Sequence, residues 1–155
     1  MNKNYIKKGK GLFGRDLYVF DSLDSTNTWV FNNSSFHKHG DVVQGLEQTA
    51  GRGRFERQWH APKNSALLMS VAIDRRHISD NNLSWLPLSA AIAVHQALSS
   101  MKLDVSLKWP NDIIAGNKKI CGILAETKSD SSITALGIGV NINQSPSDLH
   151  PEIAD

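Results

Sequence analysis

The order of apolar segments predicts an α+β fold, a mixed β-sheet flanked by helices in one domain, and three observations carry that expectation. Strand-like runs at 17–20, 42–46 and 67–73 are interrupted by a helical segment at 26–32 and by one long loop. A second helical segment covers 83–98. From 105 to 140 the chain reads as strand after strand with turns between. That order is not a regular βαβ alternation, so a mixed or antiparallel sheet with helices on one side fits better.

Taken in order, 17–20 is a short strand, and Asp24 or Ser25 caps a helix over 26–32 because a side-chain oxygen there satisfies its first N–H groups. A polar loop, 32–40, leads to the strand at 42–46. The run from Gln48 to Trp59 is basic, punctuated by glycine and has neither helical nor strand period, which predicts a long functional loop. In the segment 83–98, Leu88, Ile92 with Ala91, His95 and Leu98 recur at helical spacing, which predicts a helix with one buried face, and Pro87 is tolerable only in a first turn. A strand at 105–109 ends at Pro110, and Gly116-Asn117 between two β-prone runs signals a hairpin. Strands then continue through Leu124 and over 133–140.

With 155 residues, 40% of them hydrophobic, the chain sustains one core. Residues 1–16, rich in Lys and Gly, are a loose leader or edge segment, and 17–155 form the domain. Seventeen Lys and Arg against fifteen Asp and Glu give a charge of +2, so any anion site must be local. The single cysteine, Cys121, lies in an apolar run and reads as a packed thiol. No signal-like or membrane-length apolar run occurs, which makes the cytoplasm the expected compartment and leaves no membrane partner. His37, His39, His60, His77, His95 and His150 are scattered without carboxylate partners; exposed histidines, and no resident metal site, are expected.

Three segments carry chemistry. In Gly51-Arg52-Gly53-Arg54, with Arg57 close behind, glycines admit a ligand to the backbone and guanidinium forks suit phosphate or carboxylate oxygens. A solvated turn or a nucleic-acid contact would use the same residues, and neither a Walker nor a dinucleotide fingerprint is present. Lys108-Trp109-Pro110-Asn111-Asp112 sets a cation and two polar groups at a strand's end, or is an ordinary turn. Lys119, across the hairpin from Asp112, adds a second cation. Gly137 to Asn143 alternates small and apolar residues, as a buried strand presenting an amide would.

With Ser25-Thr26-Asn27, Gln48 to Arg54, Lys108 to Asp112, Lys119 to Glu126 and Gly137 to Asn141 in this order, the chain resembles bacterial biotin protein ligases from about residue 20 to 143. The Gly-Arg-Gly-Arg and Lys-Trp-Pro-Asn-Asp pair, about fifty residues apart, is specific to that family. The resemblance implies a catalytic domain akin to those of class II aminoacyl-tRNA synthetases. It also implies ATP and Mg²⁺ as cofactors, biotin as substrate, and the biotin carboxyl carrier protein of acetyl-CoA carboxylase as partner. Ser25, Thr26, Asn27 and Gln48 match positions near the biotin ureido ring, and Gly51, Arg52, Gly53 and Arg54 match the loop over its carboxylate and the phosphate. Lys119 matches a lysine on the reacting carboxylate and phosphate, so Arg54 and Lys119 are the expected catalytic pair. Arg57, Trp59, Asn111 and Asn141, with Arg54, fall on the nucleotide side. The loop 51–59 is expected to be mobile without ligand and to fold over the adenylate.

The resemblance leaves two rivals, a lipoate or octanoate protein ligase and a non-catalytic biotin- or nucleotide-binding module. Family members usually carry glycine where this chain has Glu56, which adds charge and removes backbone freedom beside the clamp. They also continue beyond the point matching Asp155 into further helices and a small β-barrel, so a truncated product is expected. With no region of helix-turn-helix size ahead of the domain, DNA is not an expected partner, and a homodimer through an edge strand stays open.

Overall fold

A computed structural model describes residues 3–8 in backbone and residues 11–145 in full. Among the described residues eight strands form one sheet: β1 (Lys3–Lys8), β2 (Asp16–Phe20), β3 (Val42–Gly45), β4 (Ala66–Asp74), β5 (Ser106–Lys108), β6 (Asp112–Ala115), β7 (Lys118–Thr127) and β8 (Ile133–Asn141). Their order across the sheet is β1-β2-β3-β4-β8-β7-β6-β5. Every pairing is antiparallel except β2 with β3, which are parallel and joined through α1 (Thr26–Asn32). The mixed sheet read from the segment order is therefore present, and its centre is the nine-residue pairing of β4 with β8.

The side on which the helices lie differs from the sequence expectation. Successive residues of a strand face opposite ways. On β4, Val71 and Ile73 pack with Ala90 and Ala91 of α2 (Leu86–Ser100), whereas Ala72 packs with Val30 and Phe31 of α1. The two helices thus cover opposite faces. An apolar run such as β4 is buried on both faces and carries no alternation from which sidedness could be read.

Helix α2 begins at Leu86 rather than Leu83, because Asp80–Trp85 forms a 3₁₀ segment and Pro87 then falls in the first α-turn, where no N–H is needed. Its buried side is Ala90 and Ala91 with Leu86, Val94 and Leu98 against the core; Ile92, expected inward, is 42% exposed. His37 is also not where it was expected: it is buried, ringed by Tyr18, Trp29 and Phe36 and paired with Asp41 at 3.6 Å. His150 lies outside the described residues. Among those residues no His, Cys, Asp and Glu cluster suited to a metal ion forms, and no helix is long and apolar enough to cross a membrane.

At the end of β4, Asp74 accepts hydrogen bonds from the backbone and guanidinium of Arg76, which hold its pKa down to about 2. A carboxylate with a depressed folded pKa stabilises the fold above its ordinary value and loses that contribution as the pH falls through the folded one. Denaturation between pH 4 and pH 2 should therefore show a decline in stability that Asp74→Asn lacks.

Candidate active site

A cavity of about 310 Å³ opens over the face of the sheet that α1 covers, between the start of that helix, the loop after β3 and the strands β7 and β8. This volume suits a small-molecule ligand. Its inner end is polar and fully connected. Thr26 begins α1 and its N–H donates at 2.8 Å to Gln48 Oε1, so a residue from a distant loop supplies the cap. Ser25 stands at the cap position, as expected, but its side chain makes no capping hydrogen bond. Ser70 Oγ, fully buried on β4, donates at 2.5 Å to Asn27 Oδ1 and lies 2.6 Å from Thr26 Oγ1.

The basic run that read as an irregular loop is a small hairpin. Arg52 bridges Gln58, Gly53 N–H donates to Arg57 O at 2.7 Å, and Trp59 N–H donates to Gly51 O at 3.0 Å. At its tip Phe55 and Glu56 have φ of 57° and 60°, the signs a type I′ turn demands. Such turns favour Asn-Gly, so Phe-Glu hides the hairpin from sequence reading, and each left-handed non-glycine residue carries strain. Glu56→Gly should stabilise the protein by about 0.5–1 kcal/mol, the strain relief less the entropy glycine adds to the unfolded chain. An unchanged midpoint in chemical denaturation would show that the turn is unstrained.

The floor of the cavity is built from glycine. Gly122 of β7 and Gly139 of β8 are direct register partners, and the Trp59 indole lies across both. A Cβ on Gly139 would meet the indole at 2.7 Å and one on Gly122 at 2.8 Å, so only hydrogen fits at either position. Gly137 leaves similar room for the Asn27 carboxamide. Trp59 Nε1 is buried with no hydrogen-bond partner among the described residues, an N–H that a bound acceptor would satisfy.

Cations surround this floor. Arg52 pairs with Glu126 at 3.0 Å, and Lys119 Nζ lies 2.8 Å from Asp112 Oδ1. Arg54 has no carboxylate partner among the described residues; it donates at 3.1 Å to the neutral Asn111. The side-chain amide of Asn111, in turn, donates to Ile123 O at 2.8 Å. Cys121 of β7 is packed in the core with Ala90 and Ala91 of α2, where burial pushes its thiol up to about 12, so it is no nucleophile at neutral pH.

Of the residues that the resemblance assigns to the site, Ser25, Thr26, Asn27, Gln48, Arg52, Gly53, Arg54, Arg57, Trp59, Asn111 and Lys119 line the cavity. Two do not. Gly51 is buried against the Trp59 carbonyl at the hairpin's base, and Asn141 donates to Lys119 O at 3.4 Å from beside the cavity. Ser70 was missed, and Gly122 and Glu126 lay in the Lys119 to Glu126 run without an assigned role. A serine inside the apolar run of β4 is a signal that a polar partner awaits it; the other two emerge only from strand register.

Residues 19–143 match the Biotin/lipoate A/B protein ligase family. The chain belongs to that family. Among proteins similar to this biotin/lipoate ligase family member, the bifunctional ligase/repressor BirA of Bacillus subtilis is 35% identical over 151 residues, 93% of this chain and 46% of BirA. The biotin--[acetyl-CoA-carboxylase] ligase of Mycobacterium tuberculosis is 33% identical over 93% of this chain and 56% of its own length. The chain thus spans about half the length of these curated relatives. A solved biotin protein ligase from Aquifex aeolicus, in complex with biotin and ATP, aligns with a TM-score of 0.76 at 31% identity, over 90% of this chain and 56% of that one. The sheet with its two helices is the catalytic fold of the biotin protein ligases, as the resemblance implied.

Proposed function

We propose that this chain activates biotin with ATP as biotinyl-5′-adenylate and passes the acyl group to a lysine of a biotin carboxyl carrier protein. One observation carries this reading: Lys119 and the uncompensated Arg54 converge on a single cavity whose inner end is a rigid set of amide and hydroxyl groups. A carboxylate attacking an α-phosphate requires two anions to be brought together and the developing charge to be met by fixed cations. Arg54 and Lys119 suit that task, and the Gln48, Thr26, Ser70 and Asn27 network suits a neutral polar ring such as an ureido group. Trp59 on its glycine floor suits a nucleobase. The similar ligase solved with biotin and ATP supports the same pair of ligands.

The carboxylate of biotin attacks phosphorus, pyrophosphate departs, and the acceptor amine then displaces AMP from the mixed anhydride. No protein nucleophile is needed. Among the described residues Asp112 is the one carboxylate in the cavity lining and already faces Lys119 at 2.8 Å, so Mg²⁺ would arrive on phosphate oxygens rather than in an all-protein cage. The ion would neutralise phosphate charge when bound.

The test is incubation with biotin, Mg²⁺-ATP and a biotin carboxyl carrier domain, with the acceptor's mass as readout. One biotinyl group should be added, and Arg54→Ala should slow adenylate formation by roughly 10²-fold with the fold intact. Pyrophosphate release without acceptor labelling would leave only the first half-reaction. The absence of both would reduce the chain to a binding module.

A further inference from the structure

Glu126, near the end of β7, joins three elements that the sequence keeps far apart. Its carboxylate accepts from Asn27 Nδ2 of α1 at 2.7 Å and from the Arg52 guanidinium at the hairpin's base at 3.0 and 3.2 Å. The other arm of Arg52 donates at 2.8 Å to Thr28 Oγ1, one turn into the same helix. Asn27 is then fully engaged: Nδ2 also reaches Leu124 O at 3.3 Å, and Oδ1 accepts from Ser70. A carboxylate can only accept, so Glu126 dictates which way the Asn27 amide points. It also balances the charge of Arg52.

On the function proposed above, we infer that Glu126 is a positioning residue. It orients Asn27 at the inner end of the cavity and tethers the base of the hairpin to α1, so that the segment beyond Gly53 moves against a fixed anchor. Arg52 is the other half of this tether. Its guanidinium is held by Glu126 and Thr28, and the anionic ligand atoms are left to Arg54 and Lys119.

Glu126→Gln is nearly isosteric but places an amide N–H against donors. Amide hydrogen exchange on the ligand-free protein should show Gly53, Arg57 and Trp59 exchanging at least about tenfold faster in Glu126→Gln, with β4 and β8 unchanged. Glu126→Asp, which keeps the charge, should recover part of that protection. In steady-state turnover, Arg52→Ala should raise the KM for biotin by about tenfold in the unmodified chain and by under about twofold in the Glu126→Gln background, as expected for coupled partners. Equal effects of Arg52→Ala in the two backgrounds, or hairpin exchange unaltered by Glu126→Gln, would overturn the inference. Failure of the unmodified chain to turn over would count against the ligase reading instead, because the exchange measurement requires no catalysis.

Discussion

Lys119→Ala is expected to lower the rate of adenylate formation by roughly 10³-fold, more than the loss of Arg54, because two effects act together. The ammonium that meets the reacting oxygens is removed. Asp112, which lay 2.8 Å from it, is left as an uncompensated negative charge facing a carboxylate and a triphosphate. Like charges at a few ångströms in a partly enclosed site repel by on the order of several kcal/mol before screening. Adding Asp112→Asn to Lys119→Ala should therefore recover about tenfold of the loss, whereas Arg54→Ala should gain nothing from Asp112→Asn. Single-turnover pyrophosphate release measures both. A Lys119→Ala protein within about threefold of the unmodified rate would remove Lys119 from the chemistry.

Gly139→Val should have the second largest effect, and it acts through shape rather than charge. The new Cβ falls 2.7 Å from two indole carbons of Trp59, and strand β8 cannot retreat because β4 and β7 hold it on both sides. The indole must leave its floor. If a nucleobase stacks there, ATP should lose about 1–3 kcal/mol of binding, or roughly 10- to 100-fold in its KM, with the KM for biotin changed far less. The fold itself should lose about 1–3 kcal/mol from overpacking. A shift in tryptophan emission that is absent in a Trp59→Phe background reports the displacement, and an unchanged KM for ATP would place the nucleotide elsewhere.

Much of the fold was legible because most central strands are apolar runs and their ends are marked by turn residues, as at Gly116-Asn117 between β6 and β7. Sidedness was not legible, since β4 is buried on both faces and shows no period of two. The buried side of α2 was legible in part: Ala91 and Leu98 face the core as read, whereas Ala90 carries little weight in a hydrophobicity pattern and the larger Ile92 faces out. In the site, the cationic residues could be picked out by type and by motif. Asp112, read as lying across the hairpin from Lys119, was legible as its partner; the longer-range contacts were not. Arg52 and Glu126 are 74 positions apart and Thr26 and Gln48 are 22 apart, so those contacts exist only once β2, β3 and β7 have taken their places in the sheet. Gly122 and Gly139 are ordinary strand glycines until register sets them side by side.

The most direct measurement is biotin-dependent exchange of labelled pyrophosphate into ATP, followed on the intact chain with Mg²⁺ present. The arrangement of Arg54, Lys119 and the polar inner end predicts exchange that requires biotin and is lost in Lys119→Ala. A well-folded chain that shows no exchange at saturating biotin and ATP would contradict the assignment of this cavity to acyl-adenylate formation.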